Sequence, residues 1–128
     1  MLLVGDHAYF SGHVPLLGDG SMMTGRVGEE VDLEGAQAAA KQVGLCILAT
    51  AQAKLGSLDR IKRVAKLLGM VNCAPDFTQH PQVINGFSDL MVEVFGEKFG
   101  KGARAAVGMG SLPSNIPVEI EAIFQVRD

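Results

Sequence analysis

The spacing of apolar residues changes along the chain, and each change marks an element. Residues 7–15, HAYFSGHVP, carry β-forming aromatics and stop at Gly12 and Pro15, which predicts a short strand running into a loop. The following LLGDGSMMTG is turn-rich, with Gly18-Asp19-Gly20 the strongest hairpin signal in the chain. From Asp32 the period becomes helical: Ala36, Ala40, Val43, Ile47, Ala51 and Leu55 recur every three or four residues and draw one stripe. Asp32 suits the N-cap and Gly56 the left-handed residue after the last turn. Small residues near the start of the stripe are expected to let this helix lie close on a sheet. RIKRVAKLLGMVN, residues 60–72, is apolar on both alternating sets after Val64, the pattern of a strand covered on both faces.

A second helix opens with Pro81 in its first turn and carries Val83, Phe87, Leu90, Met91, Val94 and Phe95 as its apolar stripe. Gly96 is expected to end it, and GEKFGKG then reads as an extended glycine-rich loop. Two alternating strands close the chain, flanking a turn at LPSN through which they are read as pairing. Strands and helices in this order predict an α+β domain, a mixed sheet with both helices on one face. The other face then needs a cover, and another copy of the chain is the expected one.

With 128 residues, the chain is one domain, 1–128, because a chain of this length buries roughly 65–70% of its unfolded surface in one core. The hydrophobic content of 48% exceeds what a lone monomer needs, which again favours an oligomer. A net charge of −3 gives no electrostatic footprint for nucleic acid. The one basic cluster, Arg60, Lys62, Arg63 and Lys66, reads as a solvated strand edge. The start MLLVGDHAYFSG has neither the basic region nor the apolar length of a signal peptide, and no stretch approaches the ~20 apolar residues of a membrane span. The cytosol is the expected compartment, and in it Cys46 and Cys73, without CxxC spacing, read as small buried hydrophobes.

The scattered His7, His13 and His80 form no i, i+4 pair, so no metal is assigned. His80 is read as capping or preceding the second helix, and His13 as a loop residue or as lying at a cleft mouth. GDGS and GMGS lack the strand-glycine-helix context and the lysine of a phosphate loop, so no nucleotide or other cofactor is assigned. More informative are the charges inside the last two strands. Side chains alternate, so Glu119 and Glu121 share one face, while Val118, Ile120, Ala122 and Phe124 share the other. Arg104 lies on one face with Ala106, Gly108 and Gly110, a planar fork with open space beside it, suited to a carboxylate. By spacing alone an exposed arginine paired with a neighbouring glutamate, Glu121 being one candidate, is the commoner arrangement.

RAAVGMGSLPSNIPVEIEA (104–122), with FSGHVP (10–15), PDF (75–77) and VIN (83–85), resembles the reactive-intermediate imine deaminase family, RidA or YjgF-like, in a divergent branch. The resemblance covers nearly the whole chain in order. It implies a chorismate-mutase-like α+β fold, a homotrimer with clefts between subunits, and hydrolysis of 2-imino acids to 2-oxo acids and ammonia without a cofactor. By position, Arg104 would clamp the substrate carboxylate and Glu119 would orient or activate the attacking water. Ala106 stands where the family has a cysteine whose backbone meets the imine nitrogen. Ser11 and Asn85 match residues that line the family cleft, and each is equally read as a turn or cap residue. Typical members carry a further strand and a tyrosine before the FSG strand, which this sequence is expected to lack. A non-catalytic carboxylate-binding or chaperone-like trimer is the first alternative, and ribonuclease action or inhibition of translation the less favoured one.

Overall fold

The computed structural model describes all 128 residues. Five strands form one sheet, β1 (Leu2–Val4), β2 (His7–His13), β3 (Ile61–Asn72), β4 (Ala103–Met109) and β5 (Val118–Val126), in the spatial order β1-β2-β5-β3-β4. Helices α1 (Leu33–Leu55) and α2 (His80–Gly100) cover one face, as the order of elements predicts. β1 is a strand that the three-residue apolar run after Met1 did not announce. It pairs with β2 from Leu2↔Tyr9 to Val4↔His7.

The caps of α1 follow the sequence. The Asp32 carboxylate accepts the Gly35 N–H at 2.8 Å, an N-cap worth about 1 kcal/mol, and Gly56 at φ 85° sends its N–H back to Gln52. The predicted hairpin at Gly18-Asp19-Gly20 is present as a bridge between Leu16 and Met22, with Asp19 accepting from both Ser21 N–H and Oγ–H. One small residue of α1 serves a neighbour that the sequence did not suggest. Gly44 lies under Phe87, Leu90 and Met91 of α2, and Gly86 of α2 sits directly on the α1 backbone at Gln37. The close approach is therefore helix on helix.

Two expectations need correction. Gly96, at φ 85° and ψ 166°, breaks the helical run as expected, but the chain resumes with a further helical turn to Gly100. Much of GEKFGKG is thus helical and the connection to β4 is short. The last two strands also do not pair with each other. β4 runs parallel to β3, and β5 lies antiparallel on β3's other side. The connection at residues 110–117 passes over the end of β3, where buried Asn72 holds it: Asn72 Nδ2 donates to Asn115 Oδ1 and to Ile116 O, both at 3.1 Å. Ser114 and Asn115 both take positive φ there, and Asn is among the residues that tolerate it.

Strand register assigns the faces, because residues paired across a sheet point the same way. Leu67, Gly69 and Val71 stand beside Ala122, Ile120 and Val118 of β5 and beside Arg104, Ala106 and Gly108 of β4, all toward the helices. The core lies here, with Phe124 packed on Phe10 at 4.9 Å and on Phe95 at 6.2 Å between ring centroids. Toward the open face point Lys66, Leu68 and Met70 with Ile123, Glu121 and Glu119. Leu68 and Met70 remain half-buried in a single chain. Tyr9, Ser11, Lys66, Leu68, Glu121 and Ile123 border a concavity of about 590 Å³ on this face.

Candidate functional site

Arg104 belongs to the helix side of the sheet, on the edge strand. Its Nη1 donates to Ser88 Oγ on α2 at 3.1 Å, the side chain stays exposed, and no carboxylate lies within ion-pair distance. The reading of a strand arginine paired with Glu121 is therefore wrong for this chain, since the two point to opposite faces. Half-buried Asn85 lies three residues before Ser88 on the same flank of α2. Half-buried Ala106 is the next residue on Arg104's face and packs against the core. Arg104, Ala106, Ser88 and Asn85 thus make one cluster where β4 meets α2.

Glu119 and Ser11 belong to the other face. β2 leaves register between Phe10↔Ala122 and His13↔Ile120, so Ser11 and Gly12 together oppose Glu121, a β-bulge. The half-buried Glu119 side chain lies over Gly12, where an added Cβ would come within 3.0 Å of Glu119 Cδ and closer still to Oε2. Glu119 takes part in no ion pair. Arg104 and Glu119 therefore stand on opposite faces, and one chain alone does not bring them together.

Sequence reasoning missed Ser88 and the role of Gly12. A glycine inside a strand pattern signals a bulge or a close approach, so Gly12 was findable. Nothing in the spacing distinguishes Ser88 from any other helix serine.

A second polar cluster lies at the far end of β4. Cys73 Sγ is 3.4 Å from His80 Nε2, and half-buried Arg26 donates to Cys73 O and Gly110 O, both at 3.2 Å. His80 is the first residue of α2 and points to the thiol, so it does not cap the helix. Gly108 makes room, because a Cβ there would stand 2.6 Å from His80 Nε2. Burial pushes the Cys73 thiol up, against smaller lowering effects of the Met109 backbone and Arg26. A thiol held neutral is a poor nucleophile, so Cys73 is expected to resist iodoacetamide at neutral pH until the chain unfolds, as mass spectrometry with and without denaturant would show. The cluster contains no three groups able to hold a metal ion.

Two of the four residues of the basic cluster, Arg60 just before β3 and Arg63 within it, make structural hydrogen bonds. Arg60 donates to Arg127 O and Leu55 O, and Arg63 to Lys98 O. No helix is long and apolar enough to cross a membrane.

With the sheet order and the residue clusters in place, comparison with known proteins is decisive. A profile of the family described as "YjgF/chorismate_mutase-like, putative endoribonuclease" matches residues 1–120. The chain belongs to the YjgF/chorismate-mutase-like family. Among curated family relatives, Protein TCP17 of Trypanosoma cruzi is 42% identical over 97% of this chain and 78% of its own length. Among solved structures, Atu1372 of Agrobacterium tumefaciens, a protein of unknown function, is 45% identical with a TM-score of 0.94, covering 98% of this chain and 81% of that one. RidA from an Antarctic Psychrobacter covers 98% of this chain and 85% of its own, at 27% identity and a TM-score of 0.66. The chain is thus a RidA/YjgF-like protein of a divergent branch, nearer in shape to Atu1372 than to that RidA.

Proposed function

We propose that this protein hydrolyses the C=N bond of 2-imino acids, yielding 2-oxo acids and ammonia, in clefts where the β4 edge of one copy meets the open face of another in a homotrimer. The observation that carries this reading is the pair of charged strand residues without charged partners, Arg104 at an unpaired sheet edge and Glu119 on a half-apolar open face. A structural role would normally pair them within the chain; a shared ligand between copies accounts for both.

The division of roles follows from the chemistry. Ser88 occupies Nη1 of Arg104, which leaves the Nη2 and Nε edge for two parallel bonds to one carboxylate. Small Ala106 beside it leaves space for the imine carbon. Glu119 takes a proton from water as the oxygen attacks that carbon and the C=N electrons pass to nitrogen. That proton then goes to nitrogen, giving the neutral carbinolamine; the carbinolamine's hydroxyl proton next passes by way of Glu119 to the amine, the C=O bond forms as the C–N bond breaks, and ammonia leaves. Ser11 and Asn85 border the two halves as polar liners. No cofactor enters these steps.

The test generates 2-iminopropanoate in situ with an amino-acid oxidase and follows its loss. Wild type is expected to accelerate hydrolysis and Glu119→Gln to lower kcat by about 10²–10³-fold, within the range of positioned general bases. A wild type no faster than buffer overturns the reading. Saturable binding of a 2-oxo acid without turnover would instead support a carboxylate-binding trimer, an outcome to which the alanine at 106 lends weight.

A further inference from the structure

We propose that His13 is a positioning residue for Glu119: bonded to Thr50 of α1, it holds the β2 bulge on which the carboxylate rests. The role of that carboxylate in hydrolysis rests on the function proposed above, whereas the mechanical link stands on geometry alone.

The bulge is the one place where β2 slips against β5, and it sets Gly12 against the Glu119 side chain. A bulge leaves its extra residue without a ladder partner, so something else must define its backbone. His13 does so. Its Nδ1 lies 2.7 Å from Ser11 O, inside the bulge, and its Nε2 lies 2.9 Å from Thr50 Oγ1. A carbonyl can only accept, so Nδ1 carries a proton, and the Thr50 hydroxyl, able to donate or to accept, satisfies Nε2. The imidazole is thereby clamped between helix and bulge.

Thr50 has company on α1. Gln42 Nε2 donates to Leu16 O at 2.6 Å, and the Cys46 thiol reaches the same oxygen at 3.4 Å. Gln42, Cys46 and Thr50 are spaced by four residues, so they form one row along the helix. That row grips the segment from Ser11 to Leu16 at both ends, and only His13 extends the grip to the bulge itself. Removing the imidazole frees the Ser11–Gly12 backbone and, with it, the support of the Glu119 carboxylate. A shift of about 1 Å in a reacting group costs on the order of 10²-fold in rate.

The experiment uses the full chain and the variants His13→Ala, His13→Gln and Thr50→Val, with two readouts. The first is the pH titration of the Gly12 amide by ¹H–¹⁵N NMR, with Glu119→Gln identifying the part due to the carboxylate. That part is expected in wild type, lost in His13→Ala, and restored in His13→Gln, whose amide can donate to Ser11 O and accept from Thr50. The second is turnover of 2-iminopropanoate. His13→Ala is expected to lower kcat about 10–100-fold with KM within about twofold, because Arg104 still holds the substrate, and His13→Gln to recover most of it. A Gly12 titration unchanged in His13→Ala, or a glutamine variant no better than alanine in either readout, overturns the proposal. Loss of the Gly12 response in His13→Ala, with a wild type that shows no turnover, would defeat the deaminase reading and leave the positioning role standing. Should His13→Ala fail to fold, Thr50→Val, which removes only the helix end of the clamp, carries both readouts.

Discussion

Replacing Arg104 with alanine is expected to lower kcat/KM for 2-imino acids about a thousandfold and to leave the fold intact. In the chain by itself, Arg104 is exposed and makes one side-chain hydrogen bond, to Ser88, so its loss should change stability by no more than about 0.5 kcal/mol. For a substrate carboxylate held in a closed cleft the loss is of another order. Truncating one partner of a desolvated, hydrogen-bonded charge pair costs about 2–5 kcal/mol, and 4 kcal/mol is close to a factor of 10³. Arg104→Lys keeps the charge and loses the fork, so it should recover only part of the activity. Steady-state kinetics for turnover, calorimetry for 2-oxo acid affinity and thermal melts separate these effects. An alanine variant with wild-type turnover would remove Arg104 from the site.

The second large effect is on stability. Gly86→Ala is expected to destabilise the fold by about 3 kcal/mol, lowering Tm by about 10 °C for a chain of this length. In an isolated helix the same change would stabilise by up to about 1 kcal/mol. Here the new Cβ would stand 2.9 Å from the Gln37 carbonyl carbon and nearer still to its oxygen, with the Gln37 Cα at 3.2 Å. Those are backbone atoms of α1, which no side-chain rotation can clear. Relief requires the helices to part, which loosens Phe87, Leu90 and Met91 over Gly44 and breaks the bond from Gln37 Nε2 to Gln82 O. Gly18→Ala, in a loop with no atom within 4 Å of the new methyl group, is the control and should leave Tm unchanged. Equal melts for the two variants would refute the argument.

The parts legible in the sequence were those that local chemistry determines. Asp32, Gly56 and Pro81 mark helix ends because caps and first turns have few solutions. The alternation VEIEA places Glu119 and Glu121 on the open face whatever strand lies beside them. Adjacency was not legible. A hairpin and a strand that skips over its neighbour have the same alternation, so β4 and β5 read as partners although β3 lies between them. The eight residues from 110 to 117 fit the longer path, and buried Asn72 is its anchor, but a single Asn at a strand end carries no such label. The site was legible in the same uneven way. Resemblance picked out Arg104 and Glu119 by position, whereas their placement on opposite faces follows from register and topology. Ser88 and Thr50 act through long-range contacts that no spacing encodes.

The place of β5 also bears on how the chain comes together as it is made. It is the last strand in sequence, yet it lies in the middle of the sheet, joining the β1–β2 hairpin to β3 and β4. Until residues 118–126 have been synthesised, the two halves of the sheet have no edge in common, and the apolar surfaces of α1 and β3 lack the Phe124 that closes over them. Such late, long-range pairing slows folding and exposes sticky intermediates. The core is therefore expected to close only when the C-terminal strand slots between strands made long before it.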